Sequence, residues 1–426
     1  MAKYVFLFII IMCGKGSYTL AHDILHIGII EAEKIFVDHN LQLLAQRYSI
    51  DKAKADLIQA RLFDNPSISI EQNIYNSHTK TYFDPRSQQS GEIEQLIVLA
   101  GKRGKRIQIE RYNVDIANKE FEDLVLSLKF ALRANMIDAH FTEKAIAIFN
   151  KEMDHIARLI DVYEKQWEKG NVSLMEKIRL QALFFSLKTE QLDYSNQMID
   201  IQKQLRLLLH LDPQVDVKPK IEDYDLLAIG LETFNIDNMM SQVQENPKIR
   251  IAKINTLAQE SNLQLQKRMR IPDLALRVVY DKESNIVRNY FGLGISMNIP
   301  LFDRNQGNIK AAKAMVIQSK LHKEYAINEI EIDFYAKLDK ITKAYHFHKS
   351  FDKLLEIDLN HLIDGVSTSF EHRNINMLEF VDYYETYKET GLKLYENEKN
   401  LLIGIEELNM SLGQDHFKVW DKIDKN

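Results

Sequence analysis

The most extensive pattern along the chain is helical, because apolar residues recur at alternating spacings of four and three. In the first long stretch they are Ala117, Phe121, Leu124, Leu128 and Ala131. This stretch lies between Gly104 and Gly170 without another glycine or any proline, and a second one lies between Gly307 and Gly365. Helical patterns that continue far beyond about 25 residues are typical of coiled coils, membrane spans and repeat proteins.

The other pattern is strict alternation of apolar and polar residues, which predicts β-strands. It is clearest at 290–299, where one face carries Phe291, Leu293, Ile295, Met297 and Ile299. Strands predicted at 67–75, 91–99 and 274–281 alternate in the same way. A soluble sheet that packs on a core also alternates, but here the neighbouring helices continue away from the strand ends. We therefore predict strands with lipid on one side and water on the other, as in a transmembrane barrel.

The two halves of the chain match each other at three places in the same order. The matched segments are 65–70 with 271–276, 99–103 with 300–304, and 169–176 with 372–379. Their separations of 206, 201 and 203 residues predict a tandem duplication of about 200 residues. Each half is expected to contain a helix, two strands, a long helix, a turn and another helix. The helices are predicted at 30–62, 105–169, 173–210, 239–268, 307–366 and 375–412.

Composition narrows the functional classes. The 426 residues include 55 Lys and Arg against 61 Asp and Glu, and the net charge of −6 disfavours a nucleic-acid-binding protein. The single cysteine excludes a disulfide scaffold and a cysteine-based zinc site. No catalytic constellation is found, and His346 and His348 face different sides of a helix. We expect no enzyme activity, no cofactor and no metal site.

The N-terminus has the layout of a secretory signal peptide. One lysine is followed by nine uncharged residues from Tyr4 to Met12, a run too short for a transmembrane helix of about 20 residues. Small residues before position 22 place the expected cleavage after Ala21. Cys13 would then be removed, and the alternative is lipid acylation at Cys13. The other alternative is a disordered N-terminus on a cytosolic protein.

Several local marks resemble the TolC-type outer-membrane efflux family over about 30–415. They are Asn65-Pro66, Gly101-Lys102-Arg103, Ile271-Pro272-Asp273 and the run from Pro300 to Gly307. The Gly-Lys-Arg run is more similar to the cation-efflux (CzcC-type) branch than to the drug or protein-export branches. The resemblance implies a passive outer-membrane channel of a Gram-negative bacterium that extends into the periplasm.

The fold class implied is mainly α with a transmembrane β-barrel portion. Four strands cannot close a barrel, and open sheet edges are not tolerated in lipid, so other copies of the chain must complete it. The resemblance implies a homotrimer with a barrel of twelve strands and a periplasmic tunnel of twelve helices. It also implies a periplasmic adaptor and an inner-membrane, proton-driven transporter of the RND type as partners, with heavy-metal cations as cargo.

These expectations divide the chain into five parts. They are a signal peptide at 1–21, a first repeat at 22–213 with its helical hairpin at 105–210, a connecting equatorial segment at 214–238, a second repeat at 239–415 with its hairpin at 307–412, and a C-terminal tail at 416–426. The turns at 76–90 and 282–289 are expected outside the cell.

The candidate gate lies at the tip of the second helical hairpin. The resemblance maps the family's paired acidic residues onto Asn376 and Glu379, and Asn376 departs from the acidic pattern. Glu176 is the first-half counterpart of Glu379, and Asp382 lies three residues on along the same helix. In a trimer each acid becomes a ring of three like charges, which attracts cations. The alternative is that Glu379 is an ordinary acid at a helix start, favoured by the helix dipole.

Two membrane surfaces are also predicted. Lipid is expected to contact Phe291, Leu293, Ile295 and Met297. A basic collar near the lipid phosphates is predicted from Lys102, Arg103, Lys105 and Arg106, and its alternative is a solvated helix start. Two other functions remain open, namely a duct for drugs or proteins and a soluble periplasmic adaptor with a single helical hairpin.

Overall fold

The computed structural model describes residues 23–83, 87–221, 236–284, 287–350, 365–370, 372, 374–417 and 419–420. The predicted signal peptide with Cys13, most of the connecting segment, and Arg373 at the second hairpin turn lie outside the described residues. The described chain forms two compact units. The first contains 23–36 and 135–221, and the second contains 37–134 and the described residues from 236 onwards.

Helices dominate the described residues, as predicted. They are α1 (Ile29–His39), α2 (Leu41–Arg61), α3 (Lys102–Glu168), α4 (Leu174–Leu209), α5 (Ile236–Val243), α6 (Pro247–Arg268), α7 (Gln306–Ser350) and α8 (Met377–Leu412), with a further helical stretch at 365–370. The strands are β1 (Asp23–Gly28), β2 (Ser67–Gln72), β3 (Tyr75–Asn76), β4 (Thr81–Tyr82), β5 (Gln89–Ile97), β6 (Val215–Lys220), β7 (Leu274–Glu283) and β8 (Arg288–Met297). In the part of the chain that the structure describes, none of the helices is both long and apolar enough to cross a membrane.

The prediction of single helices at 30–62 and 239–268 is wrong, because each is two helices. Asn40 has extended backbone geometry, and its side chain accepts hydrogen bonds from the backbone N–H groups of Gln42 (3.0 Å) and Leu43 (3.1 Å). Asn246 accepts from Lys248 N–H at 3.0 Å, just before Pro247. A capping side chain starts a new helix without interrupting the apolar periodicity, so periodicity alone does not reveal the break.

The four predicted membrane strands form one antiparallel sheet in the order β2-β5-β7-β8. The strand β7 of the second repeat pairs with β5 of the first, so the sheet joins the two repeats. Ile93 lies opposite both Ile68 and Val278, and Val278 lies opposite Leu293. The strands β2 and β8 form the two edges.

A parallel pair of strands in the first unit was not predicted. The strand β1 pairs with β6 along six residues, with Leu25 opposite Val217. The side chain of Gln202 in α4 secures β6, because it donates to Val217 C=O and accepts from Val217 N–H, both at 2.7 Å. The strand β6 lies in the predicted connecting segment 214–238, and its six residues include Pro219 and three charged side chains.

The residues that follow α8 in the second unit are packed by a buried polar network. Arg133 of α3 donates to Glu406 (2.5 Å) and Asp415 (3.0 Å), and Trp420 Nε1 donates to Glu406 at 2.6 Å. Phe417 and Trp420 are buried, so the predicted tail at 416–426 begins as packed structure. Burial alone would raise the pKa of Asp415, but the hydrogen bond from Lys129 and the charge of Arg133 hold it below its ordinary value.

Candidate functional site

The candidate lipid-facing surface is the apolar face of the four-stranded sheet. Phe291, Leu293, Ile295 and Met297 are 75%, 78%, 67% and 46% exposed. The pairing register places Ile68, Ile93 and Val278 on the same face, and these three are also exposed. Contact with lipid remains a prediction, but a large bare apolar surface of this kind marks an interaction surface rather than a solvated one.

The opposite face of the sheet is polar. Its charged residues are Glu71, Glu92, Glu94, Arg277, Asp281, Glu283 and Arg288. Arg277 lies opposite Glu94 and forms a 3.7 Å ion pair with Glu92. The sheet is therefore amphipathic across its thickness, as the alternation in the sequence predicts.

The edges of this sheet are open. Among the described residues, β2 pairs only with β5 and β8 pairs only with β7. An edge strand presents a row of backbone N–H and C=O groups without partners, which a hydrocarbon environment does not tolerate.

At the junction between β5 and α3, the structure gives Lys102 a different place from the predicted basic collar. Its side chain is only 3% exposed, and Nζ donates to Asp273 (2.9 Å) and to the carbonyl of Ile271 (2.5 Å). The backbone N–H of Leu99 also donates to Asp273, at 2.9 Å. Lys102 therefore links the start of α3 to the residues that immediately precede β7, and its ammonium group is buried rather than at the surface. The sequence indicates Asp273 only as part of the run Ile271-Pro272-Asp273, and its charge complementarity with Lys102 is the signal that could have identified this pair.

The other collar residues lie closer to the surface. The guanidinium of Arg103 lies 3.8 Å from the centroid of the Phe63 ring and donates to the carbonyl of Arg61. Lys105 donates to Gln108 at 2.7 Å, and Arg106 is exposed. A membrane-surface role for Arg103, Lys105 and Arg106 remains a prediction.

Two of the three candidate gate acids, Glu379 and Glu176, belong to helix caps. The Glu379 carboxylate accepts from Asn376 N–H at 2.8 Å, while the Asn376 side chain accepts from Glu379 N–H at 3.0 Å. Glu176 and Ser173 make the same reciprocal pair at the start of α4, at 2.8 and 3.2 Å. These contacts support the helix-start alternative directly, because a capping box satisfies two backbone donors. Glu379, Asn376 and Asp382 are also exposed, so the gate role remains a prediction.

Within the described residues, no group of three or more His, Cys, Asp or Glu side chains is arranged to hold a metal ion.

The duplication, the amphipathic sheet and the long helical hairpins define the class as a TolC-like outer-membrane channel fold. Residues 36–209 match the family model described as outer membrane efflux protein. The chain is similar in structure to CusC (TM-score 0.74, 14% identity, covering 91% of this chain and 92% of that one). It is also similar to VceC of Vibrio cholerae (TM-score 0.70, 12% identity, covering 91% and 96%).

Two sequence relatives place the chain near the metal-resistance branch. It is 20% identical over 300 residues to the cobalt-zinc-cadmium resistance protein CzcC of Cupriavidus metallidurans, covering 69% of this chain and 67% of that one. It is 23% identical over 283 residues to the nickel-cobalt-cadmium resistance protein NccC of Alcaligenes xylosoxydans xylosoxydans, covering 63% and 60%. The predicted resemblance to the TolC-type outer-membrane efflux family and its CzcC-type branch is confirmed.

Proposed function

We propose that the chain is the trimeric outer-membrane channel of a tripartite efflux pump, a passive exit duct for heavy-metal cations. The observation that carries this proposal is the four-stranded sheet with a bare apolar face and two open edges. Three copies would supply twelve strands, enough to close a barrel with a water-filled lumen.

The polar face of the sheet would then line the lumen. It carries five acids, Glu71, Glu92, Glu94, Asp281 and Glu283, against the two cations of Arg277 and Arg288. A lumen with excess negative charge favours the passage of cations. The names of the relatives CzcC and NccC refer to resistance to cobalt, zinc, nickel and cadmium. A periplasmic adaptor and a proton-driven inner-membrane transporter would supply the connection and the energy.

Membrane residence is tested with two neighbouring residues of β8 that face opposite sides of the sheet. Ile295→Arg places a charge on the apolar face, at a cost of about 2–4 kcal/mol near the bilayer midplane. Ser296→Arg places the same charge on the polar face. We expect Ile295→Arg alone to lower the amount of protein in the outer-membrane fraction. A mature protein found entirely in the soluble fraction would exclude a membrane channel and favour the soluble adaptor.

Topology is tested by cysteine labelling of intact cells with an impermeant reagent. Ser77→Cys lies in the turn between β3 and β4, and Asn171→Cys lies in the turn between α3 and α4. The proposal requires labelling at position 77 and none at position 171. Labelling at position 171 in intact cells contradicts it.

The cargo is tested in a strain that lacks the gene. Increased sensitivity to cobalt, zinc or cadmium, restored by the wild-type chain, is expected. Sensitivity to dyes and detergents with unchanged metal tolerance would instead favour a drug duct, and loss of a secreted protein would favour an export duct.

A further inference from the structure

The two strand pairs of the sheet are copies of each other, and the structure fixes the separation between the copies. The helix-capping residues Asn40 and Asn246 are 206 residues apart, and so are Pro66 and Pro272, which precede β2 and β7. A residue of β2 is therefore converted into its β7 equivalent by adding 206.

The separation between β5 and β8 is different. Gly101 and Asn305 have left-handed backbone geometry, with φ of 66° and 58°, and each immediately precedes a long helix. They are 204 residues apart, and so are the first residues of α3 and α7, Lys102 and Gln306. The sequence match of 99–103 with 300–304, at 201 residues, therefore misaligned this junction by three residues. At this junction, the residue with a positive φ is a better guide to the equivalent positions of the two halves than similarity of residue types.

The observed pairing independently confirms the sum of the two separations. Ile68 lies opposite Ile93. Adding 206 to the first and 204 to the second gives Leu274 and Met297, which do lie opposite each other. One operation thus carries the pair β2-β5 onto the pair β7-β8 with its register intact, and the two copies are neighbours in one continuous sheet.

Applying the same operation once more places a copy of β2 against the open edge of β8. In the chain itself, Gln95 of β5 lies opposite Leu276 of β7. The equivalent contact would join Ile299 to position 70 of another copy of the chain, because β2 and β8 of one chain lie at opposite edges of the sheet. We propose that the interface between protomers pairs Ile299 with Ile70 of the partner subunit and Leu301 with Ile68 of the partner subunit. This register rests on the proposed trimer and adds its residue contacts.

The exposed residues support this register. Ile299 and Leu301 lie beyond the last residue of β8 and are 69% and 63% exposed, while Ile68 and Ile70 are 69% and 83% exposed. Ile68 and Ile70 lie on the apolar face of the sheet, and Ile299 and Leu301 continue the alternation of β8 in the sequence, with Leu301 N–H donating to Ile299 C=O at 3.0 Å. The Cβ atoms of directly opposed residues in antiparallel strands lie about 4.5–5.5 Å apart, so the two side chains of each proposed pair would contact each other. The alternative register, which aligns the strand ends at Ile97 and Met297, would place Ile70 of the partner subunit opposite Ile295.

The test is disulfide cross-linking in outer membranes, in a Cys13→Ser background that removes the single native cysteine. Ile70→Cys with Ile299→Cys is expected to give covalent dimers and trimers on a non-reducing gel after mild oxidation. Ile70→Cys with Ile295→Cys is the matched control, because a shift of four residues moves the thiols about 13 Å apart along the strand. A second pair, Glu71→Cys with Asn298→Cys, lies on the polar face at the neighbouring position of the same register. Opposed residues alternate between hydrogen-bonded and non-hydrogen-bonded pairs along the strands, so the two cysteine pairs cover both kinds.

The observed pairs within one chain provide the geometric reference. The equivalents of the two interface pairs within one chain are Gln95→Cys with Leu276→Cys, and Glu94→Cys with Arg277→Cys. Both should form disulfides within single chains. Cross-linking through Ile295→Cys, or cross-linking at neither interface pair when an amine-reactive reagent shows trimers, would overturn the register and leave the trimer standing. If that reagent shows only monomers in the membrane, the register and the proposed function both fail.

Discussion

The two hairpin turns carry the same helix cap, but different contacts stabilise them. Behind the first turn, Lys177 lies 2.6 Å from Glu164 and 4.2 Å from the centroid of the Trp167 ring. Behind the second turn, the Phe370 ring stacks on Phe380, with centroids 4.1 Å apart, and Phe380 contacts Tyr384 at 4.5 Å. The first turn thus depends on a charge and its neighbours, whereas the second has an aromatic core.

The burial of side chains differs between the two turns in the same way. Phe380 and Tyr384 are fully buried, whereas the counterpart of Phe380, 203 residues earlier, is the charged Lys177, and the first fully buried side chain of α4 is Leu180. The duplicated halves therefore share the helix cap but not the side-chain packing next to it. We therefore expect the second turn to respond to lost volume and the first to respond to salt.

The largest expected effect comes from removing the central ring of the second turn. Phe380→Ala removes contacts on both sides of a fully buried side chain, which typically costs about 3–5 kcal/mol. Hydrogen exchange of the amides at 377–387 in the purified protein should accelerate accordingly, because it reports local opening. The control is Lys177→Ala, for which exchange at 174–184 should change by about 1 kcal/mol or less. Equal acceleration at the two turns would contradict the distinction between them.

A smaller effect is expected from one hydroxyl group in the same core. The hydroxyl groups of Tyr384 and Ser367 lie 3.0 Å apart, and both residues are buried. Tyr384→Phe keeps the ring and removes this hydrogen bond, which should cost about 1 kcal/mol in the same exchange measurement. Tyr383→Phe is the matched control, since Tyr383 is 40% exposed. An effect of Tyr383→Phe as large as that of Tyr384→Phe would exclude the hydrogen bond as the cause.

At the first turn, the charge of Lys177 is expected to matter weakly and in a salt-dependent way. Lys177→Met keeps the apolar stem over Trp167 but removes the ion pair with Glu164, at a cost of about 0.5–1 kcal/mol. The difference from wild type in exchange at 174–184 should shrink only in part at high salt, because Glu164 is 41% exposed but Lys177 is 13% exposed, and partly buried pairs are screened less than exposed ones. Salt sensitivity at 377–387 in place of the first turn would reverse the comparison.

The sequence predicted local features of the second turn better than its contacts. Helical spacing within α8 accounts for Met377, Tyr384 and Tyr387, which recur on one face and are buried. It did not identify Phe370 as the ring that stacks on Phe380, because periodicity within a helix shows which face is buried but not what covers it. Tyr383 lay in the same aromatic run and is exposed.

The same limit applies to the rest of the fold. Alternation predicted the four strands of the sheet and their apolar face, since that signal lies within each strand. The pairing of β5 with β7 joins residues about 180 positions apart, and the salt bridge of Lys102 with Asp273 depends on that pairing. The helix breaks at Asn40 and Asn246 were missed because a cap acts through one side chain.

The smallest effect on stability, and the sharpest test of function, concerns the acids in the two caps. Glutamine also serves at this position of a capping box, so Glu379→Gln removes the charge while keeping the hydrogen bond to Asn376 N–H. We expect exchange at 377–387 to change by only a few tenths of a kcal/mol. If Glu379 forms a ring of three charges at a constriction, cation preference in planar bilayers should nevertheless fall.

Comparing the two caps separates a gate from a general loss of negative charge. Glu176→Gln makes the same change at the first turn, where the carboxylate accepts from Ser173 N–H in the same geometry. A gate at the second turn predicts that Glu379→Gln lowers cation selectivity and block by multivalent cations more than Glu176→Gln does, and that Glu379→Lys lowers them further. Equal small changes in both Gln variants would show that cation selectivity depends on the total negative charge and not on the position of Glu379. Unchanged selectivity in Glu379→Gln and Glu379→Lys would leave Glu379 with its capping role alone.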